Sequence, residues 1–336
     1  MTFCCSSRKE IGKEFVFPQN RLILISMIFL ALVPSLLSCV SGGSDSSSDQ
    51  VKLSKEEQKK LSEYKAEVKI GRDMAGRLLQ FYGVYGDESL IGYVNQVGNY
   101  VASYGDHPER KYMFGILDSE SVNAFACPGG YILVTLGAIR HAKTEAELAM
   151  ILGHEAAHVG LQHMFNTLKA MGEREAEKVS EKNNANSKKL KESSVDRIRK
   201  RPEPESVAGA ELLTRYLSQS GGVGLSLLKA AQAGMNVLLE KGLDKKLEYE
   251  ADAAGVEYAI RAGYDPNALL KFLKRLQKKN EKNSSKAKHL EKTHPKISDR
   301  RSRIKKQLKE MEATRIIGAN GKSRYQKYLI NLPELE

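Results

Sequence analysis

Amphipathic segments alternate with short apolar runs along most of the chain, and their spacing predicts a fold that mixes helices with a few strands. Between Ser54 and Tyr82, apolar residues recur every three or four positions among lysines and glutamates, and Leu90 to Tyr104 repeats this helical pattern. Tyr112 to Leu117 is typical of a strand. From Val122 to Ile139, Cys-Pro-Gly-Gly separates two apolar runs, which predicts a hairpin followed by a helix.

Two further helices and a polar insertion are predicted in the second half of the chain. Thr144 with Glu147 three residues later forms a capping-box pattern ahead of an apolar run, so a helix is expected to begin there. Lys245 to Ala262 predicts another helix, closed by Gly263. Between them, 18 of the 36 residues from Met171 to Ser206 are charged. This composition predicts an insertion, either a tolerated loop or a lid.

The N-terminus carries the pattern of an export signal. Leu22 to Val40 is uncharged and apolar and follows a basic flank, and the LLSC sequence ending at Cys39 resembles the bacterial lipobox. We therefore predict a lipoprotein signal peptide over residues 1–38, lipidation of Cys39 and a flexible polar tether over 39–53. An uncleaved membrane anchor is the alternative, because 19 apolar residues could just span a bilayer.

Composition excludes several classes of protein and locates the charge. The chain has 336 residues, 41% hydrophobic and 28% charged, which argues against wholesale disorder, a collagen-like chain or a polytopic membrane protein. Its net charge is +12, and residues 271–312 alone hold 16 basic and 5 acidic side chains. We interpret this block as a helical flank facing anionic lipid or acidic clients. Charge alone would also allow nucleic-acid binding, but the predicted export disfavours it, and no nucleic-acid partner is expected.

The strongest chemical signal is an HExxH sequence from His154 to His158, on the helix predicted to begin at Thr144. Two histidines four residues apart lie on one helix face, so both imidazoles can bind one Zn²⁺ ion. Glu155 projects from the neighbouring face, where its carboxylate can reach a water molecule beside the metal. This pattern predicts a zinc hydrolase with one zinc ion per chain.

A zinc hydrolase needs a third protein ligand, and a second predicted helix offers one. Glu248 and Asp252 lie four residues apart on one face of that helix. If Glu248 binds zinc, Asp252 can accept the distal N–H of a ligand histidine and fix its tautomer. Glu250 points to a different face and is the alternative ligand.

A third group of candidates follows in the basic segment. His294 lies in a Thr-His-Pro sequence, and Arg300 follows it six residues later. A histidine beside an open zinc site could occupy or line the fourth position. An arginine there could stabilise the oxyanion that forms when a carbonyl is attacked.

These motifs together resemble the HtpX and BepA-like zinc metallopeptidases, relatives of the CAAX prenyl proteases. The resemblance covers roughly Ile70 to Arg303 and is closest to the periplasmic lipoprotein or secreted branch. Its motifs occur in order as IGRDMAGRLLQFYGVYGDESL, LDSESVNAFACPGGYILVTLGAI, TEAELAMILGHEAAH, EYEADAAGVEYAIRAGYDP and THPKISDR.

The resemblance implies a role for each candidate residue. His154, His158 and Glu248 are implied to be the zinc ligands, Glu155 the general base, and Asp252 a partner of a ligand histidine. His294 matches a position that caps the zinc in some relatives and restrains activity, and Arg300 matches the transition-state stabiliser. The hairpin strand is implied to bind substrate as an added β-strand, through Asn123, Ala124, Phe125 and Ala126.

The resulting prediction is a mainly helical α+β, gluzincin-like metalloprotease domain over residues 54–312, with a small hairpin edge beside the HExxH helix and a tail over 313–336. We expect a membrane-tethered zinc endopeptidase that cleaves exposed, unfolded or misassembled cell-envelope proteins. The expected location is the periplasmic side of a bacterial membrane, with the outer membrane favoured. The alternative is an envelope chaperone or assembly factor of the same fold with gated or low proteolysis.

Overall fold

The computed structural model describes residues 54–174, 224–282, 294–313, 316–330 and 332. The predicted signal peptide, Cys39, and residues 175–206 of the predicted insertion lie outside this part of the chain, and those predictions stand as they were made. Within it, no helix combines the length and the apolar character that crossing a bilayer requires.

The described elements follow the hydrophobic pattern closely. The first half of the chain contains α1 (Lys55–Tyr82), α2 (Glu88–Ala102), β1 (Met113–Leu117), β2 (Ala124–Cys127), β3 (Tyr131–Thr135), α3 (Leu136–His141), α4 (Glu145–Gly160) and α5 (163–174). The second half contains α6 (Gly224–Asn236), a π-helical turn (Val237–Lys241), α7 (Lys245–Arg261), α8 (Ala268–Lys282), α9 (Ile297–Glu310) and α10 (Lys322–Leu329). The predicted class, mainly helical α+β with a small sheet, is confirmed.

A three-stranded sheet leaves β2 at one edge. Its strand order is β1-β3-β2, with β1 parallel to β3 and β2 antiparallel to β3. The predicted hairpin turn is formed by Pro128–Gly130, where Gly129 and Gly130 adopt φ of 73° and 101°. These left-handed conformations favour glycine, which explains why the turn needs the Gly-Gly pair.

The HExxH helix α4 lies at the centre of the domain. All sixteen of its residues are buried, because α2, the sheet, α7 and α8 cover it on its different sides. A helix that is apolar around most of its circumference is stable only in such a position. The charged and polar residues on α4 are therefore held in a protein interior, where each needs a specific partner.

The start of α4 is fixed by two buried carboxylates. The Thr144 hydroxyl accepts a hydrogen bond from the backbone N–H of Glu147, as predicted. The Glu147 carboxylate does not complete the capping box. Instead it accepts from the backbone N–H of Lys143 at 2.8 Å and pairs with Arg275 of α8.

The second carboxylate, Glu145, connects α4 to a residue of the predicted tail, residues 313–336. Arg324 of α10 pairs with it through two nitrogens, and the hydroxyls of Tyr93 and Tyr264 donate to it at 2.6 and 2.9 Å. Burial opposes ionisation of Glu145, but Arg324 and the tyrosine hydroxyls lower the pKa of its carboxyl below the ordinary value. The Tyr325 hydroxyl also donates to the Ile139 carbonyl at 2.5 Å. Arg324 and Tyr325 of α10 thus pack against α4 and the neighbouring α3.

Helices α4 and α7 cross at two glycines. A Cβ atom added at Gly255 would lie 2.6 Å from the backbone nitrogen of His154, and one added at Gly153 would lie 2.9 Å from the carbonyl oxygen of Gly255. No side chain fits between the two backbones. This contact brings the HExxH sequence directly against the helix that carries Glu248.

Replacing Gly255 by Ala should destabilise the domain by about 1 to 3 kcal/mol, because the methyl group must push one backbone away from the other. The measurement is the free energy of unfolding from urea denaturation. Gly92→Ala on α2 is the control, since an added Cβ there meets nothing within 4 Å. It should be neutral or stabilising by up to about 1 kcal/mol. Equal stability of the two variants would contradict the close crossing.

Candidate metal centre and substrate cleft

Three predicted ligands converge where α4 crosses α7. The Nε2 atoms of His154 and His158 lie 3.1 Å apart. Glu248 faces both rings, with its Oε2 atom 3.7 Å from Nε2 of His154 and its Oε1 atom 3.6 Å from Nε2 of His158. All three side chains are buried.

The spacing and chemistry of these atoms fit a zinc ion. Zn–N and Zn–O bonds of about 2.0–2.2 Å at tetrahedral angles separate neighbouring ligand atoms by roughly 3.3 to 3.5 Å. The Oε2 atom of Glu248 is buried and accepts no hydrogen bond from the described residues. Burial opposes its ionisation, but the surrounding imidazoles, His294 first, lower the pKa of the Glu248 carboxyl. A buried carboxylate among imidazole nitrogens is a donor set that a divalent metal satisfies.

Asp252 lies between a predicted ligand and Arg300. Its Oδ1 atom is 3.1 Å from Nδ1 of His154, the nitrogen that faces away from Glu248. Arg300 donates to the same carboxylate in a bidentate arrangement, through Nε at 2.8 Å and Nη2 at 2.6 Å. Although burial opposes it, this guanidinium lowers the pKa of the Asp252 carboxyl well below the usual range. Asp252 is therefore an anion that can orient the His154 ring.

Glu155 is buried beside the ligands and has no comparable partner among the hydrogen bonds of the described residues. Burial raises the pKa of its carboxyl to about 7. A carboxyl group with a pKa near neutrality can both take up and release a proton, which suits general acid and base chemistry.

His294 lies beside Glu248 and lines the neighbouring cavity. Its Nε2 atom lies 3.5 Å from Oε2 of Glu248, and its ring centre is 6.1 Å from that of His154. His154, Glu248 and His294 each offer a ligand atom within 4.8 Å of the other two. Burial lowers the pKa of His294, which favours the neutral imidazole that can bind a metal.

The edge strand β2 borders the cleft next to these residues. One cavity is lined by the predicted substrate-binding residues, by Glu155, His158, Glu248 and His294, and by residues of the segment 237–243. The outer edge of β2 faces this cavity and pairs with no strand among the described residues. An unpaired edge beside a metal centre is a place where an extended chain can add as a strand.

Three other residues near the site, Arg300, Glu250 and Cys127, have different surroundings. Arg300 lines a second cavity with His294, but two of its nitrogens are engaged by Asp252. Glu250 is half-exposed and lies 3.5 Å from Nε2 of His163, on a different face of α7 from Glu248. Cys127 is a free, fully buried thiol whose pKa is raised by burial.

One histidine near the candidate metal centre was not identified as a site residue from the sequence. His163 is buried, and its Nδ1 atom lies 3.0 Å from Nδ1 of His158. It follows His158 by five positions, a spacing that does not place two side chains on one helix face. The chain turns between them because Gln162 adopts a left-handed φ of 55°. No simple sequence signal marks such a turn at a residue other than glycine.

Comparisons with known proteins identify related proteases. The beta-barrel assembly-enhancing protease of Yersinia pestis is 29% identical over 225 residues, 65% of this chain and 39% of that protein. The mitochondrial metalloendopeptidase OMA1 of Schizosaccharomyces pombe is 25% identical over 241 residues, 69% of this chain and 58% of that protein. The chain thus spans about two fifths of the Yersinia protein's length. The family model of peptidase family M48 matches residues 89–308, which confirms the resemblance to HtpX and BepA-like metallopeptidases. The chain therefore belongs to peptidase family M48.

Proposed function

We propose that the chain is a membrane-tethered zinc endopeptidase that hydrolyses peptide bonds of exposed or misfolded cell-envelope proteins. The observation that carries the proposal is the convergence of His154, His158 and Glu248, with Glu155 buried beside them at the edge of a substrate cleft. A zinc ion held by those three side chains would supply Lewis acidity to the scissile carbonyl and to the attacking water.

Each of these side chains would have a separate role in hydrolysis. The Glu155 carboxylate takes a proton from the attacking water and passes it to the leaving amine nitrogen. Asp252 holds the His154 ring in the tautomer that leaves Nε2 available to the metal. Arg300 lines the second cavity together with His294, and its guanidinium, paired with Asp252, would contribute positive charge near the oxygen that becomes negative.

The substrate is proposed to bind as an extended chain. Residues Asn123 to Ala126 lie along the free edge of β2, so a peptide can hydrogen-bond to their backbone and pass over the metal centre. Main-chain pairing of this kind requires an unfolded segment and depends little on sequence. Unfolded or misassembled proteins are therefore the expected substrates.

The proposed location combines the N-terminal signal with the names of relatives. Relatives from Yersinia pestis and Escherichia coli are named beta-barrel assembly-enhancing proteases. Lipidation of Cys39 would attach the chain to the periplasmic side of a bacterial membrane, with the outer membrane favoured. The exposed basic side chains of α9 would face anionic headgroups or acidic clients rather than nucleic acid.

Removing the metal should abolish cleavage. We expect the purified protein to contain one zinc ion per chain by mass spectrometry and to cleave an unfolded outer-membrane protein. Dialysis against a chelator should lower the rate at least about 100-fold, because the residual groups cannot polarise the carbonyl as a metal does. One equivalent of Zn²⁺ should restore it. Undiminished cleavage by the metal-free protein would contradict the proposal.

A second candidate function is an envelope chaperone or assembly factor that binds clients along β2 and rarely cleaves them. The position of His294 favours it, because its Nε2 atom lies 3.5 Å from Oε2 of Glu248 at the wall of the cavity, where the ring can exclude water or substrate from a bound metal. Both functions use the same cleft, and they differ in whether His294 gates a working peptidase.

His294→Ala distinguishes the two functions. If His294 restrains a peptidase, the variant should cleave unfolded protein several-fold faster than the wild type while it retains zinc. His107→Ala, at an exposed position, is the matched control and should not change the rate. A variant that holds zinc, binds clients and cleaves under no condition would support the chaperone function.

A further inference from the structure

A second cavity beside Glu155 has a mostly apolar lining. Four side chains of α8 form much of its wall: Leu269, Phe272, Leu273 and Leu276. Val122, Ala138 and Ile151 add further apolar surface, and His154, Glu155 and His294 lie at the end next to the metal centre. The cavity therefore offers an apolar space in contact with the reacting groups.

The two cavities share one wall. Asn123, Ala124, Glu155 and His294 line both of them, whereas Phe125 and Ala126 line only the first. A chain paired along β2 would run along this shared wall, past Glu155. Such a chain would place a side chain next to the scissile bond beside the second cavity.

We propose that the second cavity is a specificity pocket that takes one large aliphatic or aromatic substrate side chain adjacent to the cleaved bond. This inference rests on the proposed peptidase function. The two charged side chains of the lining have other roles: Arg300 is paired with Asp252, and Glu155 is the proposed base at the end next to the metal centre, so the rest of the wall offers no partner for a charged substrate side chain. Apolar pockets discriminate side-chain size by about 10-fold or more per methylene group.

The test is a peptide library in which the two residues flanking the cleaved bond are varied. The wild-type enzyme should cleave peptides with Leu or Phe at one of these positions at least about tenfold faster than peptides with Asp, Lys or Gly. Leu273→Ala, which enlarges the pocket, should shift the preference towards Phe. Leu308→Ala is the control, because Leu308 is equally buried but does not line either cavity.

The outcomes separate this inference from the proposed function. Cleavage without an apolar preference at either position overturns the pocket alone. An unchanged preference in a folded, zinc-containing Leu273→Ala variant also overturns it. Zinc-loaded wild-type protein that cleaves no peptide and no unfolded protein overturns the peptidase function, and the pocket with it.

A separate observation concerns the ring of His158. His158 directs Nε2 towards Glu248, while its Nδ1 atom meets Nδ1 of His163 at 3.0 Å. The other nitrogen of His163, Nε2, lies 3.5 Å from Oε2 of Glu250. His158 and His163 are both buried, whereas the Glu250 carboxylate reaches solvent.

These contacts admit one consistent set of protons when His158 holds the metal. A ligand Nε2 carries no proton, so Nδ1 of His158 carries it and donates to Nδ1 of His163. Nε2 of His163 then carries a proton and points it towards Glu250. We infer that His163 is a positioning residue that fixes the tautomer and orientation of His158, as Asp252 does for His154.

Zinc affinity tests this inference without relying on activity. His163→Leu should bind zinc about 10 to 100-fold more weakly in competition with a chromophoric chelator. His163→Asn keeps an acceptor oxygen near the position of Nδ1 and should stay within about threefold of the wild type. His107→Leu is the surface control. Circular dichroism of the metal-free forms verifies that each variant is folded.

Equal zinc affinity of His163→Leu and the wild type would overturn the role of His163, as would an Asn variant as weak as the Leu variant. A second zinc ion per chain that is lost in His163→Leu would also overturn it, since His163 would then be a ligand itself. His158→Ala tests the metal centre separately. Full zinc binding by that variant would instead overturn the proposed ligand set.

Discussion

Glu155→Gln will retain zinc and lose nearly all peptidase activity. Its carboxylate is not among the three proposed ligands, so the metal should stay bound, while the amide can neither accept nor deliver the catalytic proton. Positioned general bases contribute about 10² to 10⁴-fold to rate, and the variant should lose activity by that factor. Measurements of zinc content and of the initial cleavage rate of an unfolded outer-membrane protein, side by side, check this expectation.

Glu257→Gln provides a matched control, because it makes the same chemical change on the surface of the ligand helix α7. It should cleave at the wild-type rate. Because the Glu155→Gln form binds substrate without turning it over, crosslinking it in cells should also capture natural clients for identification. A zinc-containing Glu155→Gln enzyme with the wild-type rate would show that another group acts as the base.

Asp252→Leu will weaken both the fold and the metal site. Asp252 and Arg300 are buried together, and removing the carboxylate leaves an uncompensated guanidinium in the interior. Breaking such a pair costs about 3 to 5 kcal/mol, which urea denaturation of the metal-free protein will measure. Loss of the contact to Nδ1 of His154 should lower zinc affinity about 10 to 100-fold as well.

The double variant Asp252→Leu with Arg300→Leu separates these two effects. Replacing a buried ion pair by apolar side chains of similar size often restores stability, so the free energy of unfolding should recover most of the loss. Zinc affinity should not recover, because nothing then orients His154. Lys305→Leu, on the exposed face of α9, is the control. A double variant that regains zinc affinity would contradict the orienting role of Asp252.

Local sequence signals were sufficient to predict the helices that carry the site. The period of apolar residues and the Thr144 cap locate α4, and the HExxH spacing places its two histidines on one face. The structure adds a contact that no local pattern contains, the close approach of Gly153 to Gly255. Glycines within helices are common, and only the tertiary crossing shows which of them must lack a Cβ atom.

Residues that act through another residue were harder to predict. The Glu248 and Asp252 pair shares a helix face, and this spacing indicated it only in combination with the HExxH sequence. His163 reaches His158 only because the chain reverses at Gln162, whose amide is held by Glu67 of α1, 95 positions earlier. The apolar wall of the second cavity also depends on where α8 packs, which an amphipathic pattern does not specify.

The pairing of Glu145 at the start of α4 with Arg324 of α10 also bears on the order in which parts of the domain fold. Glu145 and Arg324 are 179 positions apart in sequence. Contacts this distant form after local ones, because the intervening chain must first be made and its ends brought together. The ribosome therefore completes α4 and α7 before it synthesises Arg324, the residue that pairs with Glu145. The support of the start of α4 is therefore complete only when a segment 179 positions away has been made and has packed against it.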